Sequence, residues 1–181
     1  MKISINVIRL VLIAAILLVA SCGSTSVVPM LELPKLLDDS DTIVIGQIES
    51  MQSSTESIRS ESGISGYAIT AGIRIDDVLK GSQVPKHIFV RFFLPDPPIG
   101  NGSVGAGSYR IVFLKRFEQG YKFADPYHPS IVAAPGKTIA GGTTLDQIVS
   151  AVARVVESPV NQPTEKIEAV YILSGVQNQL V

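Results

Sequence analysis

The fold is decided by one stretch of the chain, Tyr67-Ala68-Ile69-Thr70-Ala71-Gly72-Ile73-Arg74-Ile75-Asp76, in which apolar residues alternate with polar or small ones. Successive side chains of a β-strand point to opposite faces of the sheet, so a period of two places one set of side chains on a buried face. That set is Tyr67, Ile69, Ala71, Ile73 and Ile75. The pattern predicts a strand that ends at Lys80-Gly81, with Gly72 as a candidate β-bulge where the strand curls.

Four further segments have the composition of strands. On the N-terminal side, the apolar and β-branched run Thr42–Ile48 predicts a central strand, preceded by a short helix or turn at Leu36–Asp41. On the C-terminal side, strands are predicted at His87–Leu94, Ser108–Lys115 and Tyr121–Phe123. The strand at His87–Leu94 has aromatic residues on both of its faces, which predicts that both faces are covered.

Five strands joined by turns favour a closed or sandwiched β-structure, because closure removes unpaired strand edges. We therefore expect a mainly β protein with C-terminal helices, in which one or two α-helices pack on a five-stranded OB-like barrel. A change of period indicates the helices: a Thr-x-x-Gln capping pattern starts at Thr144, and apolar residues then recur at helical spacing until Pro159. A second helix is predicted from Thr164 to Leu173, with Gly175 as its end.

The beginning of the chain has the parts of a secretory signal. Lys2 and Arg9 form a positively charged region, Leu10–Val19 is an apolar run, and the small residues Ala20 and Ser21 follow. The apolar run is too short to span a bilayer comfortably, and polar residues interrupt the longer stretch around it. Cleavage of this segment is therefore favoured over its use as a transmembrane anchor.

The residues at the end of this segment, Val19-Ala20-Ser21-Cys22, resemble the lipobox of bacterial lipoproteins. The resemblance implies that Cys22, the only cysteine, takes a diacylglyceryl group on its sulfur, becomes the first residue of the mature chain and anchors it to a membrane. Stable anchoring requires two or more acyl chains. The residue after the cysteine is Gly23 rather than the aspartate that favours inner-membrane retention, which implies the periplasmic face of the outer membrane if the source has two membranes.

These patterns divide the chain into four parts. Residues 1–21 are the predicted signal peptide, and residues 22–35 are the lipidated cysteine with a flexible polar tether. Residues 36–135 are the predicted barrel domain, and residues 136–181 are the C-terminal helical segment.

Three segments that contain the beginning or end of a predicted strand resemble netrin-like modules. They are Ser40–Ile48, Tyr67–Gly81 and Gly107–Leu114. That group shares an OB-type five-stranded barrel with the tissue inhibitors of metalloproteinases, and the resemblance implies the same barrel for residues 38–124. It makes a protease-inhibitor-like module an alternative function. Inhibitors of that group chelate a protease zinc through an N-terminal cysteine, whereas Cys22 is the predicted site of acylation and lies well before the barrel.

The charge balance argues against nucleic acid as a partner. Removal of residues 1–21 takes away Lys2 and Arg9 and no acidic residue, which leaves 13 basic against 16 acidic side chains. Nucleic-acid-binding proteins display a basic face that displaces counterions from phosphates. The basic residues between Lys80 and Arg116 are instead interleaved with acidic and aromatic ones.

Patterns for cofactors and catalysis are weak. Gly100–Gly105 fits G-x-G-x-x-G, but a dinucleotide site requires a strand before it and a helix after it, so we interpret the segment as a hairpin loop and expect no cofactor. Asp125, His128 and Ser130 supply the residue types of a hydrolytic triad, but no nucleophile elbow is present. Two distant histidines and one cysteine form no cluster at metal-ligand spacing, so no metal site is expected.

The sequence therefore predicts a lipid-anchored, non-catalytic binding module of the cell envelope. Two long polar loops, residues 50–66 and 95–107, are the candidate contact surface for a protein or another envelope component. Their candidate binding residues are Ser54, Glu56, Arg59, Glu61, Asp96 and Asn101. A hydrolase that uses His128 is a further alternative.

Overall fold

The computed structural model describes residues 31–59, 63, 65–96, 105–118, 120–126, 128–136 and 141–179 of the 181-residue chain. The predicted signal peptide, the lipobox with Cys22, and the loop residues Glu61 and Asn101 lie outside this range. In chain order the elements are α1 (Leu33–Asp39), β1 (Thr42–Ser53), β2 (Ile58–Arg59), β3 (Ser65–Lys80), β4 (His87–Pro95), β5 (Tyr109–Phe117), β6 (Gly120–Phe123), β7 (Ser130–Val132), α2 (Thr144–Glu157) and α3 (Pro163–Gln179). Of the helices in the described part of the chain, none has the length and apolar composition of a transmembrane span.

Five of the strands close into a barrel. Around the ring the order is β1, β3, β4, β6 and β5, and β5 pairs again with β1. Neighbouring strands are antiparallel except β4 and β6, which run parallel where Val90 pairs with Tyr121. Two short strands are added outside the ring: β2 pairs with the start of β3, and β7 pairs with the first half of β5. This closed mixed barrel with packed helices confirms the predicted OB-like, mainly β architecture.

Both faces of the first half of β1 and of β5 from Arg110 to Leu114 are buried, and this produces two apolar cores. The barrel interior is filled by Val44, Ile48, Ala71, Ile73, Ile88, Val90, Val112, Leu114 and Phe123. The second core lies outside β1 and β5, where Ile43, Ile45, Ile111 and Phe113 pack with residues of all three helices, among them Leu33, Ile148 and Ala169. The continuous apolar runs of β1 and β5 therefore reflect burial on two sides, whereas the alternation in β3 reflects one open face.

Gly72 is not the extra residue of a bulge. The register between β1 and β3 shifts at three places, where the extra residues are Leu79 and Asp76 of β3 and Glu49 of β1, while Gly72 pairs with Ser50 and stays in register with Phe89 of β4. A side chain at position 72 would crowd its neighbours, since an added Cβ would lie 2.6 Å from Ser50 Oγ and 3.3 Å from Phe89 Cε1. The predicted bulge at Gly72 is therefore wrong, although the extra residue Glu49 of β1 lies directly opposite the Ile73–Gly72 step of β3.

The N-terminal cap of α2 is one residue earlier than predicted. Thr143 and Asp146 form the capping box: Asp146 N donates to Thr143 Oγ1 (3.2 Å), and Thr143 N donates to Asp146 Oδ2 (2.7 Å). The hydrogen bond from the Thr143 backbone, followed by the one from its hydroxyl, holds the pKa of Asp146 below its ordinary value. Thr144 is the first residue of the helix.

Helix α3 is longer than predicted, because it continues through Gly175 to Gln179. A C-terminal glycine cap requires a positive φ angle, and Gly175 is not among the residues with one. Val176 is buried one turn after the buried Ile172, so the apolar face of the helix extends past the glycine.

Two segments that were predicted to be loops contain helix or strand. Helix α1 begins at Leu33, inside the segment predicted as tether, because Leu33 and Leu36 are buried in the second core. In the predicted loop 50–66, β1 continues to Ser53, and Ile58–Arg59 forms the short strand β2.

Candidate functional site

The described helices pack outside β1 and β5 and leave open the surface where the second half of β1 runs beside β3 and β4. Cross-strand pairing arranges the outward side chains of this surface in three rows. These are Gln47–Arg74–His87, Ser50–Gly72–Phe89 and Gln52–Thr70–Arg91. We call these nine residues the sheet face.

Phe89 is the large apolar residue of the sheet face, and 69% of its surface is exposed to solvent. The prediction that both faces of this strand are covered is therefore wrong. The residues beside Phe89 in its row are Gly72 and Ser50, which are too small to cover the ring, and no described helix reaches it. An exposed ring next to Arg91, Thr70 and Gln52 offers a stacking surface with hydrogen-bonding groups beside it.

One end of the sheet face is held by a network around Arg74. Its guanidinium contacts Glu49 (Nε to Oε1, 3.2 Å), Asp76 (NH1 to Oδ1, 2.9 Å) and Gln47 (NH2 to Oε1, 3.1 Å). The Tyr109 hydroxyl donates to Asp76 Oδ2 at 2.6 Å. Burial, and then the nearby carboxylate, raise the pKa of Tyr109 well above its ordinary value, so the phenol remains a hydrogen-bond donor. The network fixes the orientation of this row.

The described parts of the two predicted binding loops meet at the other end of the sheet face. Arg59 of β2 pairs with Ser65 of β3, and the backbone N–H of Asp96 donates to the carbonyl of Ser65 at 3.0 Å. Glu56, Arg59 and Asp96 are exposed. We call these three residues the loop rim.

Ser54, the remaining described candidate of the loops, has a structural contact. Its hydroxyl donates to the carbonyl of Glu56 (2.9 Å) and accepts from the backbone N–H of Ala68 (3.2 Å). These bonds join the end of β1 to β3 and shape the turn that carries Glu56. Ser54 therefore positions the loop rim.

A cleft of about 460 Å³ lies between the start of α3 and the start of β5. It is lined by Ala106, Gly107, Ser108, Arg110, Gln162, Thr164, Glu165 and Glu168. At its base, Arg110 NH1 lies 2.7 and 2.9 Å from the two carboxylate oxygens of Glu168. Glu168 Oε1 also accepts from the backbone N–H of Val132 at 3.0 Å. The carboxylate therefore joins α3 to β5 and β7.

The residues of the suggested hydrolytic triad lie in and around β7. Asp125 and His128 precede this strand, and Ser130 is its first residue. The Ser130 hydroxyl is buried, with no hydrogen-bond partner among the described residues. A serine nucleophile must be reached by substrate, and burial keeps this hydroxyl from solvent. No three histidine, cysteine, aspartate or glutamate side chains of the described residues group as metal ligands would.

Comparison of the chain with protein-family models, with curated proteins and with solved structures gives no match. A β-barrel of this type is compatible with many functions, so function is inferred from the surfaces that the barrel presents.

Proposed function

We propose that this protein is a lipid-anchored binding module of the bacterial cell envelope. Residues 1–21 direct export, Cys22 carries the acyl chains, and the barrel works beside the membrane without catalysing a reaction. In a cell with two membranes, the location is the periplasmic face of the outer membrane. The sheet face and the loop rim bind a protein or another envelope component.

The anchor is supported by the order of features at the start of the chain. A charged region, an apolar run and two small residues lead directly to Cys22, the only cysteine of the sequence. Each buried CH₂ of an acyl chain contributes about 0.8 kcal/mol, so two or more chains hold a protein stably at a bilayer.

Replacing Cys22 by serine is expected to move the protein from the membrane fraction to the soluble fraction, because serine cannot form the thioether. The measurement is fractionation of cells followed by intact mass spectrometry of the purified protein. Ser26→Ala, in the same polar stretch, is the matched control and should leave the protein in the membrane fraction. An unmodified thiol in the native protein would refute the anchor.

The binding function is carried by the exposure of Phe89. Complete burial of a phenylalanine side chain contributes about 1.5–3 kcal/mol. The Phe89 ring is mostly exposed, so most of this free energy is not gained in the free protein. A partner that covers the ring would gain it as binding free energy. The polar rows on either side supply hydrogen bonds that fix the position of the partner, and the loop rim extends the contact along β3 and β4.

Replacing Phe89 by alanine is expected to reduce partner binding at least about tenfold while leaving stability almost unchanged, because an exposed aromatic anchor contributes to binding and little to the core. The measurement is crosslinking in cells, with the crosslinked partner identified by mass spectrometry. Phe117→Ala is the matched control: this phenylalanine is 52% exposed on β5, and Lys122 Nζ lies 4.8 Å from its ring centre. Equal crosslinking yields for the two variants would contradict the proposal.

A further inference from the structure

Helix α3 is apolar on two sides. Its inner side is formed by Ala169, Ile172 and Val176, which are buried in the second core. On the other side, Ile167, Val170 and Tyr171 are exposed by 70%, 54% and 57%. Large apolar side chains that a fold leaves exposed side by side indicate a surface that another body covers.

The three exposed side chains form one continuous surface, which we call the α3 patch. Residues three and four apart are neighbours on a helix, so Ile167 lies on the same face as Val170 and Tyr171. The next residue of this stripe, Ser174, donates its hydroxyl to the Tyr171 carbonyl at 2.8 Å. Its polar group is thus already satisfied, and no charged residue interrupts the stripe from Ile167 to Ser174.

The size of the α3 patch argues against a second copy of the chain as its occupant. The patch consists of three side chains that are exposed by 54–70%, whereas a stable interface uses roughly 20–30 residues on each side. A stable dimer buries about 800 Å² on each partner. The patch alone is therefore too small to hold two copies together.

A patch of this size is sufficient for contact with a bilayer, because the tether keeps the domain close to the membrane. Segment 22–30 spans at most about 30 Å when extended. A domain of this size has a radius of gyration of about 15 Å, so its surface lies within reach of the membrane that holds the acyl chains. Once the anchor is inserted, the patch is held close to the bilayer at a high effective concentration. A contact that would be weak for a free protein is then formed most of the time. Tyrosine beside two aliphatic residues suits the membrane–water interface.

We infer that the α3 patch rests on the bilayer to which Cys22 is anchored, with Ile167, Val170 and Tyr171 inserted into the interfacial layer. The acyl anchor and the patch then form two attachments that hold the domain in one orientation. This inference rests on the proposed acylation of Cys22.

The test uses the full-length, processed protein in phosphatidylcholine vesicles. The acylated protein has no free thiol, so Tyr171→Cys introduces one labelling site for an environment-sensitive fluorophore. Phe117→Cys, also at an exposed aromatic position, is the matched control. We expect the label at position 171 to shift to the blue on addition of vesicles and to be quenched about threefold less by iodide, because interfacial residues sit about 5–10 Å below the headgroups. The label at position 117 should be quenched equally with and without vesicles.

Each outcome separates the docking from the anchor. Protein that sediments with vesicles while position 171 stays as quenchable as position 117 would overturn the docking and leave the anchor intact. Protein that fails to sediment with vesicles would overturn the anchor and the docking together. Protection at position 171 in the unacylated Cys22→Ser protein without vesicles, with a doubled mass in analytical ultracentrifugation, would assign the patch to a second copy and refute the inference. The unlabelled variant Val170→Ser should loosen the same contact, seen as proteolysis of the vesicle-bound domain at a higher rate.

Discussion

Replacing Glu168 by alanine is expected to lower the free energy of unfolding by about 3 kcal/mol, because it removes the carboxylate that balances a buried guanidinium. The side chains of Arg110 and Glu168 are 5% and 28% exposed, so the pair is screened little by solvent on the arginine side. The same change leaves the backbone N–H of Val132 without its acceptor. A buried donor without a partner costs about 1–3 kcal/mol. Urea unfolding followed by circular dichroism measures the change, provided that the slope against urea stays constant.

Two variants show whether the ion pair is the cause. Glu157→Ala, at the exposed end of α2, should change stability by less than about 0.5 kcal/mol. The double variant Arg110→Leu with Glu168→Leu should be more stable than Glu168→Ala, because it removes both charges together. A loss for Glu168→Ala no larger than that for Glu157→Ala would show that the pair contributes nothing to the fold.

The five strands of the ring were predictable from the sequence because burial leaves a local pattern, whereas the short strands β2 and β7 were not predicted. The alternation around Ile73 and the apolar runs at Thr42–Ile48 and Ser108–Lys115 record which faces lie in a core. Closure of the ring followed from the general need to cover strand edges. The parallel contact of β4 with β6 was not predicted, since it depends on the path of the chain between strands.

Neither the capping residue of α2 nor the ion pair between Glu168 and Arg110 could be predicted from the sequence pattern. Thr143 with Asp146 and Thr144 with Gln147 fit the same capping rule, and only the backbone conformation at Thr143 selects between them. Glu168 bonds Arg110 across a separation of 58 residues. In the sequence it is one acidic residue on a predicted helix, and nothing local indicates its partner.

Phe89 was misassigned because hydrophobicity alone does not determine burial. Its ring remains exposed since Gly72 and Ser50 beside it are small and the described helices gather on β1 and β5. The same distribution explains why the barrel keeps one open face. The helices of the described residues cover one side of the barrel, and the strands on the opposite side retain polar rows and an exposed aromatic ring. The alternation that predicted the fold also marks this open face.

Replacing Gly46 by alanine is expected to lower the free energy of unfolding by about 3 kcal/mol or more, because β1 and β3 approach too closely for a side chain. An added Cβ would overlap the carbonyl oxygen of Arg74 and lie 3.0 Å from its carbonyl carbon and 3.3 Å from Ile75 Cα. These are backbone atoms, so the clash is relieved only by separating paired strands of the barrel. Thermal and urea unfolding measure the loss.

Gly175→Ala is the opposite control for the same substitution. A Cβ at this position meets nothing within 4 Å, and the residue lies inside α3. Alanine is favoured over glycine in a helix by about 0.8–1.0 kcal/mol, so this variant should be more stable than the native protein. Comparison of Gly46→Ala with Gly175→Ala distinguishes the effect of a close approach between strands from the effect of glycine's backbone flexibility. If both variants shifted stability in the same direction, the contact between Gly46 and Arg74 would not be the reason that glycine occupies this position.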